Sequence, residues 1–279
     1  DAFTSDGFTV GAGSGGDARV NDGSNTYVAW NWLAGNGTAS NGDGATASTV
    51  SVNSTARFSI VSWTGTGSGT TIGHGLGAKP KIIFVKNRSS ATNWVVNVGE
   101  MVGADERSLR LNSTNAIMAD AAQPDGYTYN NTTTTFSTSG GSGGTQDAVN
   151  KSGDSIIAYC FAEVKGYSKF GSYTGNGNAD GPFVYTGFKP AFILYKNTAR
   201  SISWLIHDNK RLGYNPDNDE QHPDTNAADG SDDRADILSN GFKIRESSNL
   251  MNVSGEQVIY MAFAESPFVN SNGVPNNAR

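Results

Sequence analysis

Cysteine is nearly absent from this 279-residue chain: Cys160 is the only one. No disulfide can form within the chain, and a thiol inside the apolar run "IIAYCFA" reads as a buried structural side chain. Charge is also scarce. Asp, Glu, Lys and Arg make up 16% of the residues, against about a quarter in an average soluble domain. The net charge of −6 excludes a nucleic acid backbone as the expected partner. No apolar run exceeds about eight residues, well short of the roughly 20 that a membrane helix needs, so no membrane insertion is expected. The three histidines, His74, His207 and His222, do not stand at zinc-ligand spacing. No signal peptide is visible, and a chain beginning at Asp1 is expected to be processed or a piece of something longer.

What fills the space is Gly, Asn, Ser and Thr. The 35 glycines are about one residue in eight, against a usual share of roughly 7%. Glycine costs about 1 kcal/mol per helical position relative to Ala, and Ser, Thr and Asn bond their own backbone instead. Such a chain suits short strands joined by many turns. Aromatic residues at 10% supply a core, which excludes a globally disordered chain.

The strands come in copies. "FSIVSWTGTGSG" (58–69) is echoed by "FGSYTGNGNADG" (170–181), with Trp63 matching Tyr173, Gly65 matching Gly175 and Gly67 matching Gly177, each 110 positions on. A glycine pair of this kind can cradle phosphate only where a helix follows. Here more Gly, Ser, Thr and Asn follow, so the pair is read as a repeated turn. "GAKPKIIFVKN" (77–87) becomes "GFKPAFILYKN" (187–197), two strands opened by a proline and buried on both faces. "NWVVN" (93–97) becomes "SWLIH" (203–207), which makes Trp94 and Trp204 equivalent core anchors. "SGDSIIAYCFAE" (152–163) becomes "SGEQVIYMAFAE" (254–265), now 102 apart, each a central strand ending in Phe-Ala-Glu.

The front of the chain carries half a module. "SDGFTV" (5–10) is like "SNGFKI" (239–244), and "TYVAWNW" (26–32) is like "SIIAYCF" (155–161). The expected fold is therefore all-β: tandem antiparallel β-sandwich modules at 57–168 and 169–266, with a partial N-terminal module of closing strands at 1–34. Residues 35–56 are expected as a linker and 267–279 as a C-terminal tail. The apolar residues of the partial module (Phe8, Val10, Tyr27, Val28, Trp30, Trp32) need covering, by the same chain or by a neighbouring subunit.

Several of these phrases carry a resemblance: "FSIVSWTGTG" (58–67), "GHGLGAKPK" (73–81), "YCFAEVKGYSKFGSYTGNG" (159–177), "DGPFVYTGFKP" (180–190) and "IYMAFAESPF" (259–268). They resemble a domain of unknown function found in tail fibre or virion structural proteins of tailed bacteriophages, many of them marine or environmental. The resemblance covers nearly all of the chain after residue 57, together with the half-module at the start. It implies a virion surface protein, a tail fibre or appendage acting in host attachment, assembled as a homotrimer beside other virion proteins and facing a host glycan or protein. A shaft, spacer or capsid-decorating part without a ligand is the structural alternative. A polysaccharide-degrading fibre enzyme is the minor one. The family offers no catalytic residues to carry over.

Catalytic, cofactor-binding and metal residues are accordingly all assigned as none. Glu163 and Glu265 are equivalent by repeat, so they are expected in equivalent strands and not as a glycosidase pair, whose carboxylates lie about 5 to 9 Å apart. The segment 215–236 holds seven Asp and one Glu, yet no EF-hand spacing fits Asp217, Asp219, Asp229, Asp232 or Asp233. It is expected as a solvated acidic loop. Sequons at Asn36, Asn53, Asn131 and Asn252 are expected from composition alone.

Overall fold

The computed structural model describes residues 2–4, 7–11, 20–21, 25–118, 124–140, 147–211, 215, 219–247 and 250–265. By contact the chain forms two compact units, Asp1–Trp32 and Leu33–Arg279. The first holds an antiparallel pair, β1 (Ala2–Phe3) with β2 (Phe8–Thr9). Residues 26–32 differ from the expected closing strand: they carry no strand. A strand exists only through a ladder, and this segment makes none among the described residues. Phe8, Val10 and Tyr27 are exposed.

The second unit is two sandwiches. In the first, β5 (Phe58–Thr64), β7 (Ile82–Asn87), β8 (Val95–Asn97), β9 (Ser108–Arg110) and β12 (Ser155–Phe161) belong to the large sheet. β6 (Thr70–Gly73), β10 (Thr128–Tyr129) and β11 (Thr135–Thr138) form a small sheet. In the second, β13 (Ser168–Thr174), β15 (Pro190–Asn197), β16 (Leu205–Asp208), β17 (Glu220–Gln221) and β20 (Gln257–Ala264) form the large sheet. Its small sheet is β14 (Phe183–Tyr185), β18 (Ala235–Leu238) and β19 (Gly241–Ile244).

The order β5-β12-β7-β8-β9 repeats as β13-β20-β15-β16-β17, and β10-β11-β6 repeats as β18-β19-β14. Register repeats too: Ile156 faces Trp63 across one ladder and Val258 faces Tyr173 across the other. Every pairing between the named strands is antiparallel, so the all-β sandwich expectation holds. Among the described residues two one-turn helices, α1 (Gly99–Val102) and α2 (Asp147–Asn150), interrupt the first module and none the second.

Segment 35–56 is a correction. It supplies β3 (Ala39–Asn41) and β4 (Ser48–Asn53), which extend the first large sheet to seven strands through β4 on β5. Its polar composition hides two strands, β3 at the sheet's edge and β4 next to it. Val50 alone of them enters the core cluster, with Val52 packed against it. The expected tail, 267–279, lies outside the described residues.

Alternation fixes the cores. In the first module Val61, Trp63, Ile83, Val85, Ile156, Ala158 and Cys160 point between the sheets and meet Ile72 and Phe136. In the second, Ile193, Tyr195, Val258 and Tyr260 meet Phe242, which lies edge-on to Tyr195 and Tyr260 at 5.3 Å. The outer faces of both large sheets are apolar as well, which explains why these strands read as continuous hydrophobic runs. They bury each other. Phe161 stacks on Phe58 at 4.5 Å and meets its own repeat partner, Phe263, at 5.8 Å. Phe170 and Phe192 close the cluster around Phe263 at 5.7 and 6.2 Å. Trp204 lies on this face, fully buried, with its indole N–H donating to the Arg110 carbonyl of the other module at 2.8 Å. Trp94, its equivalent, is half-buried against Tyr159. Trp204 is thus an anchor between modules, while Trp94 packs within its own.

Candidate functional site

The repeated glycines are structural. The Gly65 N–H donates to Asp154 and the Gly67 N–H to Asn150; in the second copy Gly175 donates to Glu256 and Gly177 to Asn252. A side chain on Gly65 or Gly175 would collide with the carbonyl of Lys151 or Val253. Gly67 and Gly177 adopt φ of 76° and 69°, where L side chains are strained. A buried asparagine organises each turn. Asn150 Oδ1 accepts from Thr66 N at 3.0 Å, and Asn252 Oδ1 accepts from Asn176 N at 2.8 Å. Lys-Asn at the ends of β7 and β15 does related work. Asn87 and Asn197 each donate to the carboxylate before the closing strand, Asp154 or Glu256, at 2.8 Å. Asn252 and Asn131 are buried, so as sequons they are out of reach in the folded chain.

The histidines lie apart. His74, in the first module, accepts from Leu76 N at 3.1 Å through Nδ1 and reaches the Thr132 carbonyl at 3.3 Å through Nε2; burial lowers its pKa. His222 touches the Trp204 carbonyl at 3.2 Å and Glu220 at 3.3 Å. His207 is buried edge-on to Tyr195, and neither ring nitrogen has a hydrogen-bond partner among the described residues. No group of three or more His, Cys, Asp or Glu positioned for a metal occurs among the described residues.

The acidic segment is not simply solvated. Glu220 is buried on β17 and accepts from Arg234 Nε at 2.7 Å, while Arg234 also pairs with Glu246 and Asp232. Asp229 pairs with Arg211 at 3.3 Å, and Arg211 with buried Asp208 at 2.8 Å. Asp217 lies outside the described residues. Asp219 and Asp233 show no ion pair among the described residues, and Asp233 is exposed.

A concavity of about 940 Å³ opens where the two modules join. Three pieces of chain wall it: the turn at 54–57 before β5, the crossing at 163–169 from β12 to β13, and 185–187 at the end of β14. Arg57 holds a left-handed φ of 48°, a conformation uncommon outside glycine. Its carbonyl accepts from Ala162 N at 3.0 Å and its guanidinium donates to the Glu163 carbonyl at 3.2 Å, so the turn is tied to the crossing. Glu163 accepts from Phe170 N at 3.0 Å and pairs with Lys169 at 3.4 Å. The crossing is a tight turn closed by Ser168 N to Val164 O at 2.9 Å, with Gly166 at φ 79°.

On the far wall Tyr185 is 64% exposed, its phenol over Gly187, where a Cβ would lie 3.6 Å from the hydroxyl. Phe183, 46% exposed, stands on the same face of β14, about 7 Å away along the strand. Glu163 is the one carboxylate of this lining. Glu265, its repeat partner, is held by Lys210 and by Asn209 at 3.0 Å. Sequence reasoning missed the cleft, since its walls come from three separate segments of ordinary polar composition. "VYTG" (184–187), where the repeat places "HGLG" (74–77), was the available signal.

No curated protein and no solved structure matches the chain. A family model does, a domain of unknown function (DUF7483), over residues 1–267. With nearly the whole chain matched, from the N-terminal unit through both sandwiches, the protein belongs to the DUF7483 family.

Proposed function

We propose that this chain is a bacteriophage virion structural protein, a tail fibre or appendage part that acts in attachment to the host surface, and that it is not an enzyme. The observation that carries the attachment reading is the open junction cleft with an exposed tyrosine on its wall, held on a rigid double sandwich. Surface aromatics beside polar groups are a common design of recognition sites. The resemblance of the repeated phrases to virion proteins supplies the setting. The non-catalytic reading draws on Glu163, the cleft's one carboxylate, being tied to a backbone amide and to Lys169.

In this reading the N-terminal unit, with Phe8, Val10 and Tyr27 exposed, carries self-association into a homotrimer and contacts with other virion proteins. Those same exposed residues favour the second reading, a shaft or spacer without a ligand. Immunogold labelling with antibody against the chain should decorate phage particles, and sedimentation should give a species of three 29.3-kDa chains. Labelled protein should adhere to host cells. Undecorated virions would refute the proposal, a monomer would refute the trimer, and decorated virions with no cell adhesion would favour the spacer.

A further inference from the structure

The geometry points to an acidic-saccharide site in the junction cleft: a sugar ring stacks on Tyr185 while its carboxylate is taken by Arg57 and Lys165. Charge is the first argument. The protein carries a net −6, yet this lining sets Arg57, Lys165 and Lys169 against the single carboxylate of Glu163. Glu163 is already engaged by Lys169 and by Phe170 N. Arg57 and Lys165 have no ion pair among the described residues, and both are exposed. A concentration of unpaired cations in a concave site on an anionic protein selects anions and repels cations. The guanidinium adds planar, two-point recognition of a carboxylate.

Shape is the second argument. Arg57 is fixed by its left-handed backbone and by its bonds to Ala162 and Glu163, so its side chain starts from a set point. Tyr185 is held from below by Gly187, itself at φ 86°, and offers a broad, amphipathic ring to solvent. A simple inorganic anion has no use for such a ring. A pyranose does, since its axial C–H face packs on an aromatic plane while its hydroxyls find polar partners. Ser54 and Thr55, both exposed, supply those partners around the rim. Phe183, on the same strand face, extends the platform toward a neighbouring sugar unit. The inference deepens the attachment reading and rests on it for biological sense, although the cleft itself is independent of that reading.

The experiment uses the full chain with trigalacturonate, a hyaluronan tetrasaccharide and 3′-sialyllactose as probes, lactose and cellotriose as neutral controls, and citrate as a free carboxylate. Calorimetry and saturation-transfer NMR read the binding. At least one acidic probe is expected to bind, at least about tenfold more tightly than the neutral sugars, and Tyr185→Ala and the double variant Arg57→Gln/Lys165→Gln each weaken it about tenfold. Both variants alter exposed side chains, and unchanged melting temperatures verify that they fold. Silence from all three acidic probes at about 10 mM overturns the proposal, as do lactose binding equally well or a Tyr185→Ala variant with undiminished affinity. Citrate binding as tightly as the saccharides reduces the site to a plain anion site and also overturns it. Adhesion to host cells that survives both variants leaves the attachment role standing while removing this site from it.

Discussion

His207 makes the second sandwich acid-sensitive at a position where the first carries no titrating group. Its repeat partner is Asn97, a buried amide that donates to the Asp105 carbonyl at 3.1 Å and accepts from Asn131 at 3.2 Å. His207 has only the edge of Tyr195, with its ring nitrogens unpartnered among the described residues. Burial, with the nearby guanidinium groups of Arg211 and Arg234, holds its pKa down to about 3, from 6.5. A depressed basic group is neutral in the fold and protonates more readily in the unfolded chain. Its contribution to stability is therefore intact above pH 6.5 and is lost as the pH falls toward 3.

Linkage gives a loss of about 2 kcal/mol by pH 5 and about 3 kcal/mol by pH 4. His207→Leu keeps a similar volume and removes the titration, at a cost of about 1 kcal/mol at pH 7.5 for the lost ring contact. Urea unfolding of both proteins from pH 7.5 to 4 should show the curves crossing, with the leucine variant the more stable below about pH 6. A constant gap across that range would refute the reasoning, because it would mean that the imidazole titrates alike in both states.

Other outcomes follow from the repeated turns and the buried thiol. Asn252→Ala strands the Asn176 amide and the carbonyls of Asn178 and Glu246, and should cost about 3 kcal/mol in thermal or urea unfolding. Gly177→Ala, strained at φ 69° and 3.2 Å from Ser254 Cβ, should cost about 1–2 kcal/mol. Gly175→Ala, which drives a methyl into the Val253 carbonyl, should cost more than Gly177→Ala in the same assay. Cys160 is fully buried, and burial raises its thiol pKa, so Ellman's reagent should leave it unreacted in native protein and titrate one thiol per chain in denaturant.

The duplication was legible because identical backbone tasks demand identical residues. A turn that docks at Gly65 and Gly67 needs the same glycines at 175 and 177, and the same asparagine beneath it at 150 and 252. The strands at 39–41 and 48–53 were not legible. The outermost strand, 39–41, buries no apolar side chain, and "STVSVN" beside it offers only Val50 and Val52 to the interior. The ion network of Glu220, Arg234 and Glu246 was hidden for a different reason: its members come from different stretches of chain, and each alone looks like a solvated charge. Burial of Trp204 was foreseen, but its place between the modules was not, because a period of two tells which residues share a face and not what covers that face.

The contact of Phe161 with Phe263 has a broader meaning. When a residue touches its own counterpart in a second copy, the surface is self-complementary, as it is in a two-fold symmetric dimer. Residues 57–264 hold two copies of one module in contact within one polypeptide, in place of a dimer of separate chains. Tethering frees it from the concentration dependence of a dimer of separate chains. It also releases the halves from having to stay alike. An exchange such as Asn97 for His207 alters one half only, so an asymmetric feature like the Tyr185 wall can be present once where strict symmetry would impose two.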